Sequence, residues 1–174
     1  MQNVFHNKED YAVVGPEWIE RLKTTALRSP LRRARLCLHR SDDDKLHEMI
    51  IALTRDCLFP PHRHIAKTES FHIIDGRLII VIFKEDGTPI RSLFMAPTGQ
   101  DGVLCYRMCT PSFHAVLPLD EVVIFHEVTN GPFVRNEVVL ADWAPNTQDG
   151  LRSFLIRAAL SENLPPHVRN QLQA

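Results

Sequence analysis

The spacing of hydrophobic positions changes twice along the chain. Between Gly15-Pro16 and Ser29-Pro30, apolar residues recur at helical spacing, which predicts a helix with proline at its start and just beyond its end. From Lys45 onward, short apolar runs alternate with Gly, Pro, Asn and Asp, which predicts many short strands. Helical spacing returns after Asp149-Gly150 and ends at Pro165-Pro166. The expected order is therefore a helix, a β-rich core and a second helix.

The predicted strands are short apolar runs separated by turns that contain Gly, Pro, Asn or Asp. They fall at 46–55, 71–74, 78–83, 89–95, 103–108, 115–117, 122–128 and 137–141. Asp75-Gly76 separates two of these runs and predicts a β-hairpin. Residues 11–14 suit a short edge strand or an arm that packs on a partner. We expect an N-terminal arm, helix and basic segment over 1–44, a barrel over 45–145, and a C-terminal helix with a frayed tail over 146–174.

Composition narrows the class of protein. The 174 residues include 44% hydrophobic and 24% charged side chains, as in ordinary globular domains. A net charge of -1 argues against nucleic acid as a partner, since such binding needs a basic face. No apolar run is long enough to span a membrane, and we expect no secretory signal, because the first residues show no basic segment followed by an apolar one. The 4 cysteines form no CxxC pair, so we expect reduced thiols and a cytoplasmic protein.

The candidate chemistry is concentrated between His62 and Gly76. His62 and His64 are two positions apart, so a single strand would direct both imidazoles to the same face. Glu69 begins the next apolar run and could supply an oxygen ligand from a neighbouring strand. His114 follows in a later strand of the expected barrel. Imidazole nitrogen together with carboxylate oxygen suits a divalent first-row metal ion.

This spacing, H-x-H-x4-E-x6-G from His62 to Gly76, resembles the first motif of the cupin superfamily. The segment CTPSFHAVLP would be the second motif, with His114 as its histidine. The resemblance implies a mainly β fold, the double-stranded β-helix or jelly-roll barrel, with an N-terminal and a C-terminal helix around it. It also implies that His62, His64, Glu69 and His114 together bind one divalent ion, with Fe, Zn, Mn and Ni not distinguished.

The second motif departs from the superfamily pattern. Its usual proline and glycine fall at Cys109 and Pro111, and its asparagine falls at Pro118. The glycine expected before the first motif is Asp56. Three nitrogens and one oxygen leave two open positions on an octahedral ion but none on tetrahedral zinc. The sequence therefore leaves open whether such an ion is catalytic or structural.

Within the superfamily, the chain most closely resembles the WbuC family of cupin-fold metalloproteins. The matching stretches are RSPLRRARLCLHRS, LHEMIIALTR, PPHRHIAKTESFHIIDGRL, FHEVTNGPF and ADWAP. This resemblance implies a small sugar-derived or acidic substrate, in the setting of surface-polysaccharide (O-antigen) biosynthesis, with metal-assisted isomerisation or oxygenation as the reaction. The alternative is a non-catalytic, metal-stabilised cupin that binds or senses a small carbohydrate-like ligand, because fold does not determine reaction.

Further polar residues are candidates for roles beside the ligands. His126 and Glu127 lie in an apolar run, so one of them must face inward, and His126 is our candidate for proton transfer. Lys67 is a second catalytic candidate, and Arg63, Lys67 and Arg107 are candidates for binding an acidic substrate. We also expect a homodimer, because jelly rolls leave strand edges that must be covered.

Overall fold

The computed structural model describes residues 2–134 and 137–174. Its helices are α1 (Pro16–Arg28), α2 (Gln148–Leu160) and α3 (Pro166–Gln173). Its strands are β1 (Val4–His6), β2 (Arg33–Cys37), β3 (Leu46–Thr54), β4 (His62–His64), β5 (Glu69–Asp75), β6 (Leu78–Phe83), β7 (Pro89–Met95), β8 (Cys105–Met108), β9 (Phe113–Pro118), β10 (Val122–Asn130) and β11 (Val138–Leu140). They form a six-stranded sheet, β1-β2-β3-β10-β5-β8, and a five-stranded sheet, β11-β4-β9-β6-β7.

The two sheets face each other and are covered on their outer sides by helices. Between the sheets lies an apolar cluster that includes Phe71, Ile80 and Phe125. Helix α1 packs on the outer face of the six-stranded sheet through Leu22 and Ala26. Helices α2 and α3 pack on the outer face of the five-stranded sheet. This is the mainly β jelly roll with helices at both ends that the sequence predicted.

The turn at Asp75-Gly76 is not the predicted hairpin. Strand β5 pairs with β10 and β8, whereas β6 pairs with β7 and β9, so the turn links the two sheets. Gly76 has a φ of 71°, and a Cβ there would lie 2.7 Å from the carbonyl oxygen of Val122. Glycine is therefore required at a tight corner, and local sequence does not distinguish such a corner from a hairpin turn.

Both ends of the chain contain elements that the sequence did not predict, β1 and α3. The N-terminal strand is β1, which pairs in parallel with β2, while Tyr11 and Val13 lie exposed outside any strand. Strand β2 pairs with β3, so the segment 1–44 contributes to the barrel sheet. At the other end, Pro165 is the N-cap of α3, and Val168 is fully buried. The segment predicted as a tail therefore contains a third helix, α3.

None of the helices in the described part of the chain is long and apolar enough to cross a membrane.

Candidate metal centre and adjoining cavity

Three strands bring the four predicted ligands to one place between the sheets. His62 and His64 are the two ends of β4, Glu69 is the first residue of β5, and His114 lies in β9. His62 and His114 are cross-strand partners, with ring centroids 4.5 Å apart. The His62 and His64 rings are 5.3 Å apart. The i, i+2 spacing therefore places both imidazoles on the face that also contains His114.

Glu69 occupies the centre of this group. Its Oε1 lies 2.7 Å from His114 Nε2, and its Oε2 lies 3.7 Å from His64 Nε2. The hydroxyl of Tyr106, in β8, donates to Glu69 Oε1 at 3.4 Å. Glu69 and His114 are 5% and 1% exposed, so their interaction is largely shielded from water. A buried carboxylate with several donors is well stabilised in its ionised form.

Two of the imidazoles are oriented by main-chain carbonyls. His62 Nδ1 lies 3.2 Å from the carbonyl oxygen of Pro60, and His114 Nδ1 lies 3.0 Å from that of Ser112. A carbonyl oxygen only accepts hydrogen bonds, so each Nδ1 donates and each Nε2 is the nitrogen left for a ligand role. Histidine ligands of metal ions are commonly held in this way.

The chemistry of the donors fits a divalent ion, although their present arrangement is not a coordination geometry. Within 2–134 and 137–174, no group of three or more His, Cys, Asp and Glu side chains is placed to hold a metal ion. Glu69 Oε1 instead contacts His114 Nε2 directly, at 2.7 Å. His64 Nδ1 is buried without a hydrogen-bond partner. The unpaired Nδ1 of His64 and the oriented imidazoles of His62 and His114 support the view that these residues could hold a divalent ion.

The ligands have distinct protonation behaviour. Burial, together with the neighbouring His114, lowers the pKa of His62 to about 3. Burial also lowers the pKa of His64. Burial alone would lower the pKa of His114, but the charge and hydrogen bond of Glu69 raise it on balance. Burial disfavours ionised Glu69, yet the interactions with His114, His62 and His64 together outweigh burial, and the pKa of Glu69 falls. Glu69 and His114 therefore form an ion pair beside neutral imidazoles.

Two further groups beside Glu69 hold protons. Burial and the Glu69 charge raise the pKa of Tyr106 well above its usual value. Burial and Glu69 also raise the pKa of Glu127 to about 8. Glu127 lies on the same face of β10 as Phe125, which faces the space between the sheets. The sequence required either His126 or Glu127 to face inward, and the structure selects Glu127.

His126 therefore lies on the opposite face of β10 from the ligands. It is in register with His72 of β5, and its Nε2 lies 3.6 Å from Glu48 Oε1. Burial lowers its pKa. This position separates His126 from Glu69, so the structure does not bring it to the candidate site in the catalytic role predicted for it.

The predicted basic residues are also placed outside the ligand group. Arg63 alternates with His62 and His64, and its guanidinium stacks on Phe113 and pairs with Glu85 on the outer face. Lys67 is 8% exposed and donates through Nζ to the carbonyls of Asn130 and Pro132, at 2.8 and 2.7 Å.

Arg107 is the remaining basic candidate. It is exposed on β8, where its neighbours Tyr106 and Met108 pair with inward-facing residues of β5. Alternation directs the Arg107 side chain to the other face, and its guanidinium donates to Thr68 Oγ1 at 3.5 Å.

A cavity of about 490 Å³ opens beside the ligands, between the sheet edges β7 and β8. Its walls are somewhat more apolar than polar and contain two arginines and no acid: Ile82, Ile90, Arg91, Leu93, Val103, Cys105, Tyr106, Arg107, Met108, Cys109, Thr110 and Ser112. Tyr106 contacts Glu69, Ile82 is the cross-strand partner of His114, and the Ser112 carbonyl accepts from His114. The cavity therefore adjoins the candidate metal centre.

Comparison with known proteins identifies the fold. A protein family described as a domain of unknown function, DUF6016, matches residues 15–95, which include His62, His64 and Glu69 but not His114. No curated protein matches. A protein from Shewanella oneidensis has a similar structure, with a TM-score of 0.54 and 9% identity over 80% of this chain and 91% of that chain.

Two further solved structures are similar over part of their length. CapF bound to 3-isopropenyl-tropolone gives a TM-score of 0.51 and 14% identity over 64% of this chain and 32% of CapF. The DMSP lyase DddQ from Ruegeria pomeroyi gives a TM-score of 0.47 and 16% identity over 73% of this chain and 55% of that chain. The chain thus spans about a third of CapF. The likenesses to the Shewanella protein and to CapF show the jelly-roll fold; the finer resemblance to the WbuC family stays a prediction.

Proposed function

We propose that this protein is a metal-binding cupin that acts on a small sugar-derived or acidic substrate in the cavity between β7 and β8. The observation that supports this most directly is the convergence of His62, His64, Glu69 and His114, with two imidazoles oriented through Nδ1. These four residues would hold the ion. When bound, a divalent ion supplies Lewis acidity toward a substrate oxygen.

The surrounding side chains favour proton transfer as the chemistry. The Tyr106 hydroxyl contacts Glu69, and Glu127 retains a proton near neutral pH because burial and Glu69 raise its pKa to about 8. Tyr106 also lines the cavity, and both groups hold a proton at neutral pH that they could donate. This arrangement favours isomerisation over oxygenation. The resemblance to the WbuC family suggests surface-polysaccharide biosynthesis as the setting.

Metal analysis of protein purified without a histidine tag tests this proposal. We expect about one divalent ion per chain, and its loss in the His114→Ala variant. The matched control is His72→Ala, because His72 is an exposed histidine on the outer face of β5. Equal metal content in both variants, or none in the wild type, would contradict the proposed metal centre.

A further inference from the structure

The inner face of the five-stranded sheet contains one row of residues that links the ligands to an arginine. His62 of β4 is in register with His114 of β9, His114 with Ile82 of β6, and Ile82 with Arg91 of β7. Directly opposed residues in a sheet share a face. The side chain of Arg91 therefore leaves the backbone on the same face as the predicted metal ligands. Its backbone is two strands away from that of His114, or about 10 Å at the usual strand spacing.

The neighbours of Arg91 on β7 confirm its direction. Leu93 packs against the apolar cluster between the sheets, and Met95 is a fully buried member of that cluster. Positions 91, 93 and 95 alternate with outward-facing positions along the strand. Arg91 thus occupies the inward face at the open edge of the sheet, where it lines the cavity.

The charge of Arg91 is not neutralised by the protein. Among the described residues it forms no salt bridge, and no acid lines the cavity. By contrast, Arg63 pairs with Glu85, and Lys67 is engaged with two carbonyls. Arginine presents a planar fork of donors that matches a carboxylate in two parallel hydrogen bonds.

We propose that Arg91 binds the anionic group of the ligand, and that this ligand is a small carboxylic acid with a short apolar segment. The apolar segment of this acid would contact Ile90, Leu93 and Val103 of the cavity wall. Its other end would extend past Tyr106 toward the four metal-ligand residues. Apolar walls favour a singly charged carboxylate over a more strongly hydrated phosphate. This inference rests on the proposed function for the role of the ion, and it adds the class of substrate.

Calorimetric titration of the metal-loaded protein with pentanoate and with its uncharged analogue pentanamide tests the inference. We expect pentanoate to bind about tenfold or more tightly than pentanamide, because one charge-assisted pair is worth roughly that factor. Arg91→Gln should lose about tenfold in pentanoate affinity with pentanamide unchanged, and Arg91→Lys should fall between. Arg157→Gln, an exposed arginine of α2, is the matched control and should behave as the wild type.

Several outcomes would overturn the inference. They are equal affinity of the wild type for the two compounds, no binding of either, or an Arg91→Gln variant that binds pentanoate as the wild type does. Tighter Arg91-dependent binding of inorganic phosphate would overturn the carboxylate assignment. Metal content is measured on the same samples. If no ion is retained but Arg91→Gln still weakens pentanoate binding, the proposed metal function fails while the role of Arg91 stands.

Discussion

Substitution of Lys67 can test whether this residue stabilises the fold or binds substrate. Its ammonium group is buried and donates to the carbonyls of Asn130 and Pro132, at 2.8 and 2.7 Å. These bonds hold the loop after β10 against the segment between β4 and β5. Lys67→Met keeps the length and apolar stem of the side chain but removes both donors, so the loop loses its attachment.

The magnitude follows from these two bonds. A hydrogen bond from a charged group contributes about 1.5–3 kcal/mol net, so two would contribute about 3–6 kcal/mol. Part of this stabilisation is offset, because burial disfavours the charged amine and lowers the pKa of Lys67. We expect the free energy of unfolding to fall by about 2–3 kcal/mol. At about 2–4 °C per kcal/mol for a chain of this size, the melting temperature should fall by roughly 4–12 °C.

Thermal unfolding followed by circular dichroism measures this shift, with Lys84→Met as control because Lys84 is exposed. Metal content and pentanoate affinity, measured at a temperature where the variant is folded, should stay near the wild-type values. If Lys67→Met has the wild-type melting temperature but a lower affinity for pentanoate, the structural role of Lys67 is refuted. Lys67 is then a binding residue, as the sequence first indicated.

Three other predictions concern protonation, metal and assembly. Glu127→Gln should stabilise the protein at pH 8–9 and not at pH 5. The pKa of Glu127 rises from 4.5 to about 8 on folding, so the wild-type protein loses stability as pH rises through that range, whereas glutamine does not titrate. An equal difference in stability between variant and wild type at both pH values would contradict this. Chelation should lower the melting temperature but leave one cooperative transition, because the apolar clusters do not depend on an ion; unfolding at room temperature would show otherwise. We expect a homodimer by light scattering, and a monomer when the exposed Tyr11 and Val13 are both changed to Ser; a monomeric wild type would rule out the dimer.

The sequence alone determined helix α1 and the first ligand motif. Proline and helical spacing predicted α1 closely, because Pro16 is compatible with a first helical turn and Pro30 with the residues just after the last one. The i, i+2 pair of His62 and His64 needed only the geometry of a strand to predict a shared face.

Only the tertiary structure decided which residues meet around that motif. Alternation divides a strand into two faces but does not say which face is inside, so His126 and Glu127 were equivalent until β10 paired with β5. Likewise Arg91 has no local signal, because its row with Ile82, His114 and His62 joins strands distant in sequence. Cross-strand neighbours depend on register and strand order, which arise from the packing of the whole chain and not from any single segment.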